Sequence, residues 1–198
     1  TVSNVETIYG GTQDDYIVVA DTAYNGVISL GNGSDTLYLS NYGSTVTLSN
    51  VEQVFGGSAA DRVSVSTLAS GTVFDLGDDY DRLTLGNFSN QITVSNVESI
   101  AGGSGSDIVT VLTDLADGYL ALGGGQDKVT FQQSAVATLS NVETVIGSAS
   151  DDDISYTGSI SNAFVDLGNG EDYLRLGSSS TVTVANVENI FGSGGSDT

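Results

Sequence analysis

The stretch NVESIAGGSGSDIVTVL, residues 96–112, contains the elements that decide the fold. An Asn-Val-Glu triplet leads into a short β-prone pair and then into a Gly-rich loop that ends at Asp107. Val109 and Val111 follow at alternate positions, a period typical of a short strand with one buried face. Glycine permits the tight backbone of a corner between two such strands. The stretch therefore predicts a strand, a corner and a second strand.

The same arrangement recurs along the whole chain. The triplet stands at residues 4–6, 50–52, 96–98, 141–143 and 186–188, at intervals of 46, 46, 45 and 45 residues. Each complete unit has a second Gly-rich loop that ends in Asp, such as LGGGQD at 122–127. Tandem units of this length indicate repeats that stack on their neighbours. We expect one solenoid over residues 1–198, with four full repeats and a partial fifth, excised from a longer chain.

The aspartates that end the Gly-rich loops give the expected rung length, because they are spaced alternately by 20 and by 25 or 26 residues. They are Asp15, Asp35, Asp61, Asp81, Asp107, Asp127, Asp152, Asp172 and Asp197. We predict an all-β, right-handed parallel β-solenoid, a β-roll or β-helix, with about nine rungs and two rungs per repeat. The longer interval leaves room for an irregular or three-sided cross-section.

The alternating segments after the loops predict which residues point inward. These are Ile17, Val19, Leu37, Leu39, Val63, Val65, Leu83, Leu85, Val109, Val111, Val129, Phe131, Ile154, Tyr156, Leu174 and Leu176. We expect them to stack as apolar ladders, with mostly polar residues facing outward between them. We expect the recurring Glu of the triplet at a corner, and its Asn either bonded to the corner backbone or stacked in a ladder.

The composition narrows the possible partners. The chain has 25 Asp and Glu against four Lys and Arg, a formal net charge of -21, and no Cys or His. Thiol and imidazole catalysis are therefore excluded, and zinc, copper and haem lack their usual ligands. Nucleic acid and acidic lipid surfaces would be repelled, and no apolar run is long enough to cross a bilayer. Cations are the expected partners, with no nucleic-acid binding and no membrane insertion.

Stacking of the loop aspartates favours a calcium cofactor. On a single edge, neighbouring carboxylates would stand about 4.8 Å apart. Each pair would repel by roughly 1 kcal/mol in a water-like dielectric and by roughly 3.5 kcal/mol at an effective dielectric near 20. Ca²⁺ suits such an edge because it accepts about six to eight oxygen ligands, including carboxylates and backbone carbonyls. The alternative is a metal-free solenoid, since Asp and Gly also form tight turns without a cation.

The segment GGSGSDIVT, residues 102–110, resembles the calcium-binding nonapeptide G-G-x-G-x-D-x-U-x of the repeats-in-toxin (RTX), or haemolysin-type, family. The flanking Asn-Val-Glu pattern resembles spacer sequence between such nonapeptides in large secreted bacterial proteins. The resemblance implies calcium between stacked loops and folding after export into calcium-rich surroundings. It also implies that the nine loop aspartates are metal ligands, with the carbonyls of Gly103 and Gly105. Other loops depart from the pattern, since Gln13 and Ala59 replace the third glycine.

These features predict a calcium-dependent structural or spacer module, secreted or at the bacterial cell surface, and not an enzyme. Paired acids such as those of LGDDYD, residues 76–81, are the groups that hydrolyse glycosides, but here they recur on every repeat instead of forming one cleft. Three alternatives stay open. They are a self-assembling surface-layer (S-layer) or filament component, an adhesin or toxin region that presents a separate ligand-binding or catalytic domain, and a metal-free structural β-helix.

Overall fold

The computed structural model describes all residues of the chain, Thr1–Thr198, and consists of strands and corners without a helix. No helix that could cross a membrane is therefore present. The first sheet, sheet 1, contains β1 (Thr7–Gly11), β3 (Tyr24–Gly31), β5 (Thr45–Ser49), β7 (Arg62–Val65), β9 (Arg82–Thr84), β11 (Ser99–Ala101), β13 (Leu115–Ala121), β15 (Ala135–Ser140), β17 (Asp153–Tyr156), β19 (Tyr173–Arg175) and β21 (Asn189–Phe191). The second sheet, sheet 2, contains β2 (Tyr16–Val18), β4 (Thr36–Tyr38), β6 (Gln53–Gly57), β8 (Ser70–Gly77), β10 (Gln91–Ser95), β12 (Ile108–Val111), β14 (Lys128–Phe131), β16 (Thr144–Ile146), β18 (Ala163–Asp166) and β20 (Val182–Ala185).

Successive strands alternate between the two sheets, so one coil of the chain supplies one strand to each sheet. All pairings between neighbouring strands are parallel, as between β7 and β9 or between β12 and β14. The predicted all-β parallel solenoid is confirmed. Sheet 1 has eleven strands and sheet 2 has ten, which is close to the expected number of about nine rungs.

The cross-section is two-sided, because each coil has one strand in each sheet. Each repeat contains more coils than the two predicted. A full repeat supplies five strands, β1 to β5 in the first and β6 to β10 in the second, which is two and a half coils. Equivalent positions in register lie 16 to 21 residues apart, as in Leu48↔Val65 and Val63↔Leu83. The interval of 26 residues from Asp35 to Asp61 is therefore one and a half coils, and not one long rung.

The core lies between the two sheets, because alternate side chains of every strand point inward. It forms one cluster of 41 buried hydrophobic residues that runs the length of the solenoid. The residues predicted to point inward are all buried except Ile17, which is half-buried near the first coil. Among the largest are Phe74 and Phe131, each 1% exposed. The sequence prediction of apolar ladders is confirmed.

One position in each full repeat has a positive φ just before or inside a strand. It is occupied by Asn25, Gly71, Asp117 and Asn162, with φ values of 55°, 73°, 140° and 55°. At the first three positions the strand register shifts by one residue, which is a β-bulge. The bulge brings the preceding corner residue inward and so completes the core at that end of the sheet.

In the second and third repeats, the corner residue and the residue three positions later divide the available volume between them. Leu115 is paired with Gly118, whereas in the second repeat the smaller Ala69 is paired with the larger Thr72. All four residues are buried. A Cβ on Gly118 would overlap the Leu115 side chain. The two positions therefore act as one packing unit.

We expect Gly118→Ala to lower the free energy of unfolding by about 1–3 kcal/mol, because the new methyl group displaces Leu115. The loss should shrink when Gly118→Ala is introduced into a Leu115→Ala background, in a double-mutant cycle measured by urea denaturation. Gly26→Ala is the matched control, since its nearest side-chain atom, the Ala23 Cβ, is 3.4 Å away. Equal losses at Gly26 and Gly118 would contradict the packing unit.

Candidate functional site at the acidic corners

The corners of the solenoid form two edges, and the loop aspartates are divided between them. The first edge contains the corners that follow odd-numbered strands, and the second edge contains those that follow even-numbered strands. Asp15, Asp35, Asp107, Asp127 and Asp197 lie on the first edge, whereas Asp61, Asp81, Asp152 and Asp172 lie on the second. The single column considered from the sequence is therefore wrong. Five strands per repeat is an odd number, so each successive repeat begins on the opposite edge.

In the second repeat, backbone amides and carboxylates alternate along the solenoid axis. The Ser44 amide donates to Asp61 Oδ1 at 2.6 Å, and the Asp61 amide donates to Asp81 Oδ1 at 2.7 Å. The Asp81 amide in turn donates to Glu98 Oε2 at 2.8 Å. Hydrogen bonds to a charged acceptor are about twice as strong as neutral ones. Each carboxylate thus fastens its own coil to the preceding one.

The same chain of bonds occurs in all four full repeats. We call each set an acidic row: Asp15–Asp35–Glu52, Asp61–Asp81–Glu98, Asp107–Asp127–Glu143 and Asp152–Asp172–Glu188, with amide-to-carboxylate distances of 2.7–3.0 Å inside the rows. Asp197 accepts from the Ser180 amide at 3.0 Å and begins a fifth row.

The Asn-Val-Glu triplet is the corner that ends each row. The Asn residues, Asn50 and Asn96 among them, have φ between 47° and 54°, a left-handed conformation that Asn tolerates better than most residues. Val97 enters the core at 2% exposed, and the carboxylate of Glu98 turns back to the preceding coil. The expected corner role of the Glu is confirmed.

Sequence reasoning did not predict that the Glu of the triplet is the third member of each row. The signal was present, because the second-loop Asp and the Glu are 17 residues apart in the first two repeats, which is one coil length. That interval becomes meaningful only when the Asn-Val-Glu triplet is counted as a corner equal to the Gly-rich loops.

Most row aspartates have a second carboxylate oxygen that is buried without a hydrogen-bond partner. These oxygens are the Oδ2 atoms of Asp35, Asp61, Asp81, Asp107, Asp127 and Asp172. Burying a polar atom without a partner is costly, and for a charged group the cost is larger. At Asp15 and Asp152 the equivalent Oδ2 accepts the amide of the residue four positions earlier, so the six unpartnered oxygens are places where a proton or a cation could complete the corner.

Backbone oxygens lie close to the buried carboxylates. A Cβ on Gly56 would stand 2.7 Å from Asp61 Oδ2 and would also overlap the Leu76 carbonyl oxygen of the next coil. Gly102 is placed in the same way against Asp107 Oδ2 and the Leu122 carbonyl. A carboxylate oxygen and a carbonyl oxygen thus converge above the first glycine of the loop. Carboxylate and carbonyl oxygens are the ligand types that Ca²⁺ accepts.

The carbonyls proposed as ligands from the family pattern lie at the first edge. The Gly103 carbonyl accepts the Gly124 amide of the next coil at 3.0 Å, and one lone pair remains. The Gly105 carbonyl lies against Gly125, where a Cβ would stand 2.5 Å away. Nowhere in the chain do three or more acidic side chains converge as a metal-binding cluster. Any cation at these corners would therefore rely on backbone carbonyls and water in addition to the aspartates.

Burial raises the pKa of several row aspartates. The pKa of Asp81 rises to about 7, and the pKa values of Asp61 and Asp127 rise to about 6, chiefly because burial disfavours the charged form. The negative charges of Asp61 and Glu98 raise the pKa of Asp81 further. Burial raises the pKa of Asp152 and Asp172 as well.

Three of the four basic residues follow a row aspartate directly. They are Arg62, Arg82 and Lys128, and their side chains are exposed on the outer faces of the sheets. They follow Asp61, Asp81 and Asp127 in the sequence, but the one ion pair of the structure joins Arg175 to Asp153 and does not involve a row aspartate.

Comparison of the chain with protein-family models, with curated proteins and with solved structures finds no match.

We expect Glu98→Ala to lower the free energy of unfolding by about 1.5–3 kcal/mol, because it leaves the Asp81 amide without its charged acceptor. Glu98→Gln should cost less, since the amide oxygen still accepts that bond. The control is Glu171→Ala, because Glu171 is exposed and lies outside the rows. Urea denaturation measures all three, and a loss at Glu171 as large as that at Glu98 would contradict the role of the rows.

The raised pKa values predict that stability without a bound cation falls as the pH rises. An unfolded Asp has a pKa of about 3.9, so the folded state binds these protons more tightly. The resulting stabilisation is fully present below about pH 4 and is lost as the pH rises through about 6 to 7. In chelator, we expect the urea midpoint to fall between about pH 5 and about pH 8.

Asp81→Asn should weaken that dependence, because Asn offers the same acceptor to the Asp61 amide without a charge. The matched control is Asp21→Asn, which removes an exposed carboxylate outside the rows. If the pH profile of Asp81→Asn coincides with that of the parent chain, the buried carboxylates are not the source of the dependence.

Proposed function

We propose that this chain is a structural spacer of a secreted or cell-surface protein, a rod whose folding is completed by calcium at the acidic rows. The single observation that carries the proposal is the set of six buried Oδ2 atoms without a partner. Each of the four full rows contains at least one of these atoms, which points to a property of the whole rod. The long continuous core supports a structural role, since each coil contacts only its neighbours and length can be extended by adding repeats.

Calcium bound at the rows would neutralise the aspartates and supply the missing partners of their Oδ2 atoms. The residues that would hold it are the loop aspartates, joined by backbone carbonyls such as that of Gly103. The chain itself positions the carboxylates, because the preceding amides hold each Oδ1 and orient the second oxygen. Ligand binding to the folded state alone stabilises that state by RT ln(1 + [L]/Kd) at each site.

This linkage would make folding depend on the compartment. In a calcium-poor medium, repulsion within the rows and the flexibility of 26 glycines keep the chain loosely folded. In a medium with millimolar calcium, the same rows bind calcium and hold neighbouring coils together. A rod of this kind can be exported in a loose form and become rigid outside the cell. The role assigned to the rows is structural and includes no catalytic step.

A metal-free structural β-helix is the second candidate. It is favoured by the hydrogen bond that each row carboxylate already accepts from a backbone amide, and by the absence of three converging acidic side chains. In that case protonation of the buried aspartates would offset their charge. The two candidates differ in what calcium does to stability near neutral pH.

The deciding experiment is far-ultraviolet circular dichroism and thermal melting of the chain at about pH 7.5 during titration from chelator to millimolar Ca²⁺, with Mg²⁺ as the control ion. We expect calcium to increase the β signal or to raise the melting temperature, and magnesium to do so much less, because it is smaller and dehydrates reluctantly. If calcium changes neither quantity, the metal-free candidate replaces the calcium-dependent one.

Matched variants connect the effect to the rows. Asp127→Asn together with Asp107→Asn should reduce the calcium response, since both Oδ2 atoms are buried without a partner. Asp21→Asn together with Asp114→Asn removes the same charge from exposed positions and should leave the response unchanged. An equal reduction by both pairs would mean that calcium acts through general screening. Light scattering on the same samples distinguishes an assembling surface-layer or filament component, whose particle size grows with calcium, from a monomeric spacer.

A further inference from the structure

A groove on the outer face of sheet 1 is lined by none of the residues of the acidic rows. It crosses β13, β15, β17 and β19 and has a volume of about 290 Å³. One line of register partners runs along it, from Tyr119 through Thr138 and Ser155 to Arg175. The two small hydroxyl residues form the floor, and the two large side chains close the ends. Three strand spacings separate Tyr119 from Arg175, which is about 14 Å.

One end of the groove is a rigid polar wall. Arg175 forms an ion pair with Asp153, and its guanidinium carbon lies 5.5 Å from the Tyr173 ring centroid and 5.4 Å from that of Phe191. The two rings are nearly parallel, at an interplanar angle of 4°. Cation–π contacts of this kind fix the guanidinium in place. Donors and acceptors are therefore already positioned before any ligand arrives, which reduces the entropy cost of binding.

The opposite end of the groove contains backbone strain. Asp117 is the bulge residue of β13 and has a φ of 140°, whereas Asn25 and Asn162 at equivalent positions have 55°. A non-Gly residue in that region costs of order 1–3 kcal/mol, and strain of this kind is concentrated at functional sites. The bulge also turns the exposed Asp117 toward the groove, where it is one of the lining residues.

The groove is not a product of the repeat. The residues equivalent to Asp153 and Arg175 in the second repeat are Arg62 and Thr84, which cannot form the same ion pair. An asymmetric set of side chains in a concave surface is what a specific ligand site needs, and a repetitive rod offers few such places.

We propose that this groove binds one neutral sugar unit of a glycan. Several ring hydroxyls can be matched by the hydroxyls of Thr138 and Ser155, the carboxylate of Asp153 and the guanidinium of Arg175. The apolar surface of a sugar ring can lie against Tyr119 and Val136, which are 42% and 46% exposed. The net charge of -21, together with the carboxylates of Asp117 and Asp153, disfavours acidic sugars. This site is independent of the calcium proposal, since it contains no row residue.

The test is saturation-transfer and amide-shift NMR of the chain with the methyl glycosides of glucose, galactose and mannose. We expect at least one glycoside to bind saturably, with a Kd of about 1 mM because the ligand is small and the groove is open. The shifted amides should include those of Thr138 and Ser155. Saturable binding of none of the three glycosides overturns the proposal.

Two variants block the floor from different strands, Ser155→Tyr and Thr138→Tyr. Each should weaken binding at least tenfold while leaving the melting temperature near that of the parent chain, because both side chains face outward. The matched control is Ser64→Tyr, at the position of the second repeat equivalent to Ser155, which should bind as the parent does. Undiminished binding in either folded variant also overturns the proposal, as does an equal loss in the control.

Discussion

The amide of a corner residue lies outside the strand ladders, and in this chain it donates along the axis to a carboxylate of the next coil. Such an amide, buried without an acceptor, would cost free energy at every corner. The carboxylates of Asp81 and Glu98 provide the acceptors for two successive coils. The Gly-rich loops and the Asn-Val-Glu corner follow from this requirement, because each brings an acidic side chain to the edge at the height of a neighbouring amide.

The same interaction creates the electrostatic problem of the fold. A carboxylate close enough to accept a corner amide is withdrawn from water, so its charged form becomes less favourable and its pKa rises, as at Asp61. The repulsion is limited because the acidic rows are short, with three members before the edge changes.

Period and composition were enough to predict the class of fold and nearly all of the inward residues, because burial on alternate positions is a local property of each strand. The geometry of the coil was harder. The 26-residue interval between Asp35 and Asp61 contains a corner without glycine, at residues 50–52, and this corner was expected but was not used in estimating the length of a coil. Glu52 was therefore placed at a corner but not in a row with Asp35. The groove between Tyr119 and Arg175 could not be predicted, because it depends on which coils become neighbours.

The half-integral number of coils per repeat gives the rod a symmetry that no single repeat has. Each repeat is related to the next by a half-turn about the axis and an advance of about 12 Å, which approximates a twofold screw. Equivalent surfaces of successive repeats therefore face opposite sides of the rod, so no one side of the rod presents all of them. A contact made by residues that recur in every repeat, such as the loop aspartates, is offered again on the far side by the next repeat. Rods that meet through such a contact would extend into a flat array instead of closing into a pair.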